Sequence, residues 1–288
     1  LYFIINLMNF INTFENSFDN NLFNFQKILI YLIPLALITG PFLPDFFAVL
    51  SSICLIYFLI KNKKNFSYFN NFFLISYFFW FGYILIISLF SMYKYEDFSS
   101  SIFFFRFGFL VTSIYFISTN DENFEKTFFK FLLFPILFVS FDGIFQYFFK
   151  VNLFGFGTNE LMKGRISGVF KDEYILGSYL FRLIPILLGL YILNFSQNKL
   201  IKFLFTLTIF LSLFSIIISG ERIAIILTIL SSVFFLILFR INIIKIFITI
   251  FLVSFVVFFI VKDNDIYSRL INETSEQITV SSNDFNLL

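Results

Sequence analysis

The residues best suited to chemistry lie in Gly164-Arg165-Ile166-Ser167-Gly168-Val169-Phe170-Lys171-Asp172-Glu173, followed by Gly177-Ser178-Tyr179-Leu180 and Arg182. Glycine lets the backbone approach a ligand closely and costs helix stability, so it is misplaced in a plain spanning helix. Six of the 11 glycines (Gly143, Gly155, Gly157, Gly164, Gly168 and Gly177) fall in and around this segment. Arg165 adds a planar fork of donors that matches phosphate oxygens and stays charged in a low dielectric. Gly164 and Gly168 can offer backbone N–H groups to the same anion, with Lys171 nearby. Asp172 or Glu173 then opens the next helix, where a carboxylate suits the N-terminus. The pattern reads as an anion site; the plainer alternative is a solvated linker that caps a helix.

A second polar break, Ser219-Gly220-Glu221-Arg222, separates two apolar runs. Either it is a helical turn with its charges in water, or Arg222 shares an anion with Arg165 while Glu221 orients it. Two further arginines lie within apolar stretches. Arg106 stands mid-run in Phe103-Phe104-Phe105-Arg106-Phe107-Gly108. A buried arginine needs a partner or a wet cavity, and Asp142 and Gln146, one helical turn apart, could supply it. Arg182 shares a face with Ser178 and is either a pocket wall or a snorkelling side chain. Histidine is absent and Cys54 is the single cysteine. The sequence therefore offers only carboxylates as bases and neither a His-based nor a CxxC metal site. No cofactor is implied.

The elements that must position these residues are membrane spans. The chain is 59% hydrophobic and 13% charged, with mean hydropathy +0.91, whereas soluble domains average about 45–50% apolar and about 25% charged. Apolar runs of roughly 17–25 residues cross a bilayer of about 30 Å as helices. The sequence predicts an all-α polytopic membrane protein of about nine spans, near 22–39, 46–60, 70–91, 99–118, 127–149, 173–194, 200–219, 222–239 and 243–261. Residues 1–26 read as an interfacial or disordered segment, 27–261 as the helical domain with a loop at 150–172, and 262–288 as the opening of a further loop. The 53 phenylalanines, in a chain also rich in Ile, Asn and Lys, fit an AT-rich genome and read as lipid-facing bulk in place of Leu. A net charge of +2 excludes a nucleic-acid partner on electrostatic grounds.

Basic residues in short loops set the orientation. Lys61, Lys63 and Lys64, then Lys199 and Lys202, then Arg240 and Lys245 alternate as cytoplasmic loops. The N-terminus is then cytoplasmic. The Gly164–Glu173 segment, Ser219–Arg222 and the tail after Lys262 share the outer face.

On these residues the chain resembles the O-antigen ligase and polymerase superfamily. The run Gly164–Phe170 leading to Gly177-Ser178-Tyr179-Leu180, the turn Ser219-Gly220-Glu221-Arg222, and Asp142-Gly143-Ile144-Phe145-Gln146 followed by Asn152-Leu153-Phe154-Gly155 carry the likeness, over about 28–261. The resemblance implies a metal-independent C-type glycosyltransferase bundle at the outer face of the bacterial inner membrane. It implies transfer of a glycan from undecaprenyl diphosphate to lipid A–core, or to another glycan in a polymerase. By motif position Arg165 and Arg222 would hold the diphosphate, supported by Gly164, Gly168, Lys171, Asp172, Glu173, Arg182, Glu221 and Arg106. The family's histidine, thought to activate the acceptor, has no counterpart here. The expectation is a truncated sequence whose base lies beyond Leu288, leaving the donor-phosphate half of a site that is inactive alone. A lipid-linked glycan flippase is the competing class, but transporters favour mid-membrane charges and repeated halves, and no inverted repeat is evident.

Overall fold

A computed structural model describes residues 2–62, 67–157, 165–193, 198–239 and 268, with side chains over the same residues except 2–18, 94 and 236–239. It is all-helical among the described residues, apart from one isolated bridge between Val151 and Gly157. Nine helices are described: α1 Tyr2–Ala36, α2 Phe42–Lys61, α3 Phe72–Leu89, α4 Lys94–Ile102, α5 Phe105–Asn120, α6 Phe124–Phe149, α7 Leu176–Leu193, α8 Lys199–Ile218 and α9 Arg222–Phe239. Among the described residues, seven candidate spans are long and apolar enough to cross a membrane, with α4 and α5 together covered by one of them. Within α9, the apolar stretch Arg222–Phe235 is shorter. The ninth expected span, 243–261, and the tail 262–288 apart from residue 268 lie outside the described residues.

Local chemistry sets several helix ends. Gly40 at φ +115° and Pro41 end the first span and start α2. Asn71 accepts from Phe73 N at 3.1 Å and Asn198 from Leu200 N at 2.9 Å, capping α3 and α8. Asp121 accepts from Asn123 N at 3.0 Å ahead of α6. Helix α1 runs without interruption from Tyr2 through residue 26 into the first span. The span expected at 99–118 is broken at Phe103-Phe104, where Tyr77 donates its hydroxyl to Phe104 O at 2.5 Å. Phe104 O also accepts from Phe107 N at 3.1 Å, so the hydroxyl adds a tertiary tie from α3 to the start of α5.

The chain divides into two compact units, Leu1–Phe128 and Phe129–Leu288, with the division inside α6. In the first unit α2 packs on α1 and α5, and α3 on α4 and α5. Its core holds Ile30, Tyr31, Leu55, Leu59, Phe116, Ile117 and Phe124. Phe116 meets the rings of Phe23, Phe58 and Tyr68 at 5.3–5.9 Å between centroids. Tyr31 stacks on Phe124 at 5.3 Å. Phenylalanine is therefore not only lipid-facing bulk: part of it builds this core, while Phe42, Phe72, Phe79 and Phe90 remain exposed, as a bilayer environment requires. Lys61 pairs with Asp19 at 2.6 Å and Lys27 with Asp121 at 2.8 Å.

In the second unit α7 packs against both α8 and α9. Leu132, Ile136 and Val139 of α6 are buried, as are Leu180, Leu183, Ile184 and Leu187 of α7 and Ile216 and Ile218 of α8. Ser215 donates to Ser140 O at 2.8 Å, tying α8 to α6 in an apolar interior. This unit carries the Gly168 loop and the Ser219–Arg222 turn.

Candidate functional site

The site begins where α6 ends. Lys150, at φ +62°, turns the chain out of the helix. Asn152 then closes an Asx-type turn, its Oδ1 accepting from Phe154 N at 3.0 Å and Phe156 N at 2.8 Å. Asp142, buried in α6, accepts from Leu153 N at 2.8 Å through Oδ1. One turn later Gln146 accepts from Gly168 N at 2.7 Å, and Asn152 donates from Nδ2 to Gly168 O at 2.8 Å. Both backbone polar groups of Gly168 are thus bound by buried side chains. Gly168 has φ +58°, and a Cβ there would lie 3.1 Å from Leu176 Cδ1 and 3.2 Å from Asp142 Oδ2. Only glycine suits this point on both counts.

Residues Ile166–Phe170 are all buried, with Gly168–Phe170 forming one 3₁₀ turn. The segment is therefore not a solvated linker. Irregular backbone of this kind is tolerated in a membrane protein where protein groups satisfy it. Arg165, at its start, donates from Nη2 to Tyr174 O at 3.1 Å, and its guanidinium carbon lies 4.7 Å from the Tyr174 ring centre. Lys171 stands exposed at φ +56° with its ammonium 5.0 Å from the Phe156 ring centre. Gly164 lies outside the described residues.

Helix α7 starts at Leu176 rather than at residue 173, and Asp172 and Glu173 remain exposed on the turn before it. The carboxylate at the helix start comes from Glu221 instead. Its Oε1 accepts from Gly177 N at 2.6 Å, while Oε2 accepts from Ser178 N at 3.0 Å and Ser178 Oγ at 2.5 Å. Gly177 permits this approach: a Cβ there would stand 2.6 Å from Ser219 Oγ and 3.0 Å from Ala224 Cβ. The turn bearing Glu221 is itself fixed, with Gly220 at φ +69° and Ser219 Oγ donating to Ile216 O at 2.7 Å. Glu221 therefore serves the N-terminal dipole of α7, which sequence reasoning had assigned to a local acid.

The beginning of α7 is thus a meeting point. Arg165 reaches it through Tyr174 O, and Arg222 adjoins it as the residue after Glu221 and the first of α9. Both arginines are half-buried. Arg182, farther along α7, is exposed, with its guanidinium carbon 5.8 Å from the Phe181 ring centre. Arg106 lies in the first unit, where its Nη2 is 2.9 Å from Asp45 Oδ2. Asp142 and Gln146, offered by the sequence as its partners, bind the loop backbone at Leu153 and Gly168.

Gln146 and Asn152 were not among the expected site residues. Asn152-Leu153-Phe154-Gly155 carried part of the resemblance, but the partner of the Asn152 Nδ2 lies 16 residues on, at Gly168. Among the described residues no group of three or more His, Cys, Asp or Glu side chains is placed to hold a metal ion. Chemically, the arrangement gathers cations and a rigid glycine-bearing backbone near one helix start. Comparisons with protein families, curated proteins and solved structures give no match to this chain.

Proposed function

We propose that this chain is an O-antigen ligase-like glycosyltransferase, transferring a glycan from undecaprenyl diphosphate to lipid A–core at the periplasmic face of the inner membrane. The observation that carries the reading is the convergence on α7. The Arg165–Gly168 segment and the Glu221–Arg222 turn, 56 residues apart from Arg165 to Glu221, meet the same helix start. These are the motifs on which the family resemblance rests, in the same order.

In the transfer, an acceptor hydroxyl attacks the anomeric carbon, the bond from that carbon to the diphosphate oxygen breaks, and the diphosphate leaves with the electron pair. Arg165 and Arg222 stabilise the charge that develops on it, because fixed cations in a water-poor site need no reorganisation as the bond breaks. The acceptor proton passes to a base, which in the family that the chain resembles is a histidine, and residues 1–288 contain none. Glu221 is occupied in holding α7 and is not that base.

The test is complementation with the full-length protein. Rescue of ligase-deficient cells supports the reading; rescue of polymerase-deficient cells instead moves the acceptor to a growing glycan. R165A and R222A should each abolish transfer while protein abundance stays at the wild-type level. Wild-type transfer by both variants would sink the diphosphate assignment.

A further inference from the structure

We infer that Gln146 and Asn152 are positioning residues for Arg165, acting through the peptide groups of Gly168. The inference rests on the proposed role of Arg165 in binding a diphosphate. Arg165 lies three residues before Gly168, and the intervening Ile166 and Ser167 are buried, which leaves the segment little freedom between the two points. At Gly168 the N–H is held by Gln146 Oε1 at 2.7 Å and the carbonyl by Asn152 Nδ2 at 2.8 Å. At the other end, Arg165 Nη2 is tied to Tyr174 O at 3.1 Å.

Both clamping side chains are essentially inaccessible, at 0% for Gln146 and 2% for Asn152. Neither can touch a diphosphate without the loop coming apart. Their energetic grip is nonetheless large, because a buried peptide group that loses its partner keeps its full desolvation cost. Gln146 belongs to α6, so the loop is referenced to the helical scaffold rather than to another loop. That is the construction a charged contact needs to be held within a fraction of an ångström. Asn152 adds a second constraint from the chain's own turn, whose N–H groups occupy its Oδ1 while its Nδ2 is spent on Gly168.

The two residues can be separated experimentally. Q146M preserves side-chain volume and removes the acceptor for Gly168 N–H. N152D keeps an acceptor for Phe154 and Phe156 and removes the donor to Gly168 O. Binding of undecaprenyl diphosphate to full-length protein in nanodiscs is measured by native mass spectrometry for wild type, Q146M, N152D, R165A and the doubles Q146M/R165A and N152D/R165A. The expected result is at least tenfold weaker binding in each single variant and no further loss when either clamp variant is added to R165A. That non-additivity is the signature of residues acting through one another, and a general loss of packing would not produce it. Losses that multiply in the double variants, or Q146M and N152D binding as wild type, overturn the positioning role. A wild type that binds no undecaprenyl diphosphate overturns the donor-site reading, and this inference with it. If Q146M does not fold, N152D and its double decide the question alone.

Discussion

Glu221 closes the first turn of α7 on Ser178, a residue 43 positions earlier in the chain, through Ser178 N at 3.0 Å and Ser178 Oγ at 2.5 Å. The same carboxylate takes Gly177 N at 2.6 Å, so three donors at a helix start converge on one side chain. Helix starts leave N–H groups without intrahelical partners, and an ionised acceptor there gains from both hydrogen bonding and the dipole. The cap also joins α7 to the turn between α8 and α9, making a local helix signal into a tertiary contact.

Replacing Glu221 by Ala should therefore destabilise the protein by about 1–2 kcal/mol, the range for a lost cap that leaves buried donors unmet. Glu221→Gln keeps an acceptor and should lose less. Asp172→Ala and Glu173→Ala, at the exposed positions sequence reasoning favoured, should leave thermal unfolding in detergent unchanged. Equal melting temperatures for Glu221→Ala and wild type would show that the cap contributes nothing.

Glycine substitutions should divide by position. Gly168→Ala combines a left-handed φ with contacts at 3.1 and 3.2 Å, and should cost about 1–3 kcal/mol. Gly177→Ala drives a methyl to within 2.6 Å of Ser219 Oγ, whose movement would break its bonds to Ile216 O and Glu221 N. At Gly189, also in α7, an added methyl would meet nothing within 4 Å, so Gly189→Ala should be neutral or stabilising by up to about 1 kcal/mol. Unfolding curves of the three variants in one detergent make the comparison; equal losses at Gly168 and Gly189 would count against the packing described.

The contrast between these positions shows what sequence can carry. Spans were legible because hydropathy is a one-dimensional signal; within the glycine cluster, read from the sequence as backbone open to an anion, Gly168 and Gly177 are closely packed by side chains. The break at Phe103-Phe104 was not legible, since Ile102–Phe105 is a run of large apolar residues with no proline or glycine to mark a helix end. It coincides with tertiary contacts: Tyr77 bonds Phe104 O, and α5 approaches so closely that a Cβ on Gly108 would lie 2.7 Å from the Tyr77 ring. The cap of α7 was assigned to the wrong acid for a related reason. Two acids adjoin α7 in sequence, and only the fold shows that a third, more distant one fills the place.

Arg106 tests whether a charge in an apolar run is structural. It pairs with Asp45 at 2.9 Å, and its guanidinium carbon lies 5.0 Å from the Phe107 ring centre. With side chains 25% and 38% exposed, solvent screening limits the pair to about 0.5–1 kcal/mol. Arg106→Ala and Asp45→Ala should cost similar amounts, and the double variant little more than either single. A direct substrate contact predicts otherwise: loss of transfer in Arg106→Ala with Asp45→Ala fully active. Unfolding and complementation on the same three variants distinguish the two.

Lys27 and Asp121 make the first unit sensitive to acid. The pair is 2.8 Å apart with each side chain about one-fifth exposed. The hydrogen-bonded Lys27 ammonium holds the Asp121 carboxyl below its ordinary value of 3.8, against burial, with help from the Asn123 N–H. A carboxyl whose folded value is lowered binds fewer protons folded than unfolded, so its stabilisation is fully present above the unfolded value. It is lost as pH falls through the lowered folded value. Wild type should therefore exceed Asp121→Asn in melting temperature at pH 7, with the gap constant down to about pH 5 and closing below about pH 4. Melting of both proteins in a pH-insensitive detergent between pH 7 and 3 measures it. A gap that persists unchanged at pH 3 would mean that the difference does not come from the charge of Asp121, since the Asn side chain keeps the acceptor for Asn123 N.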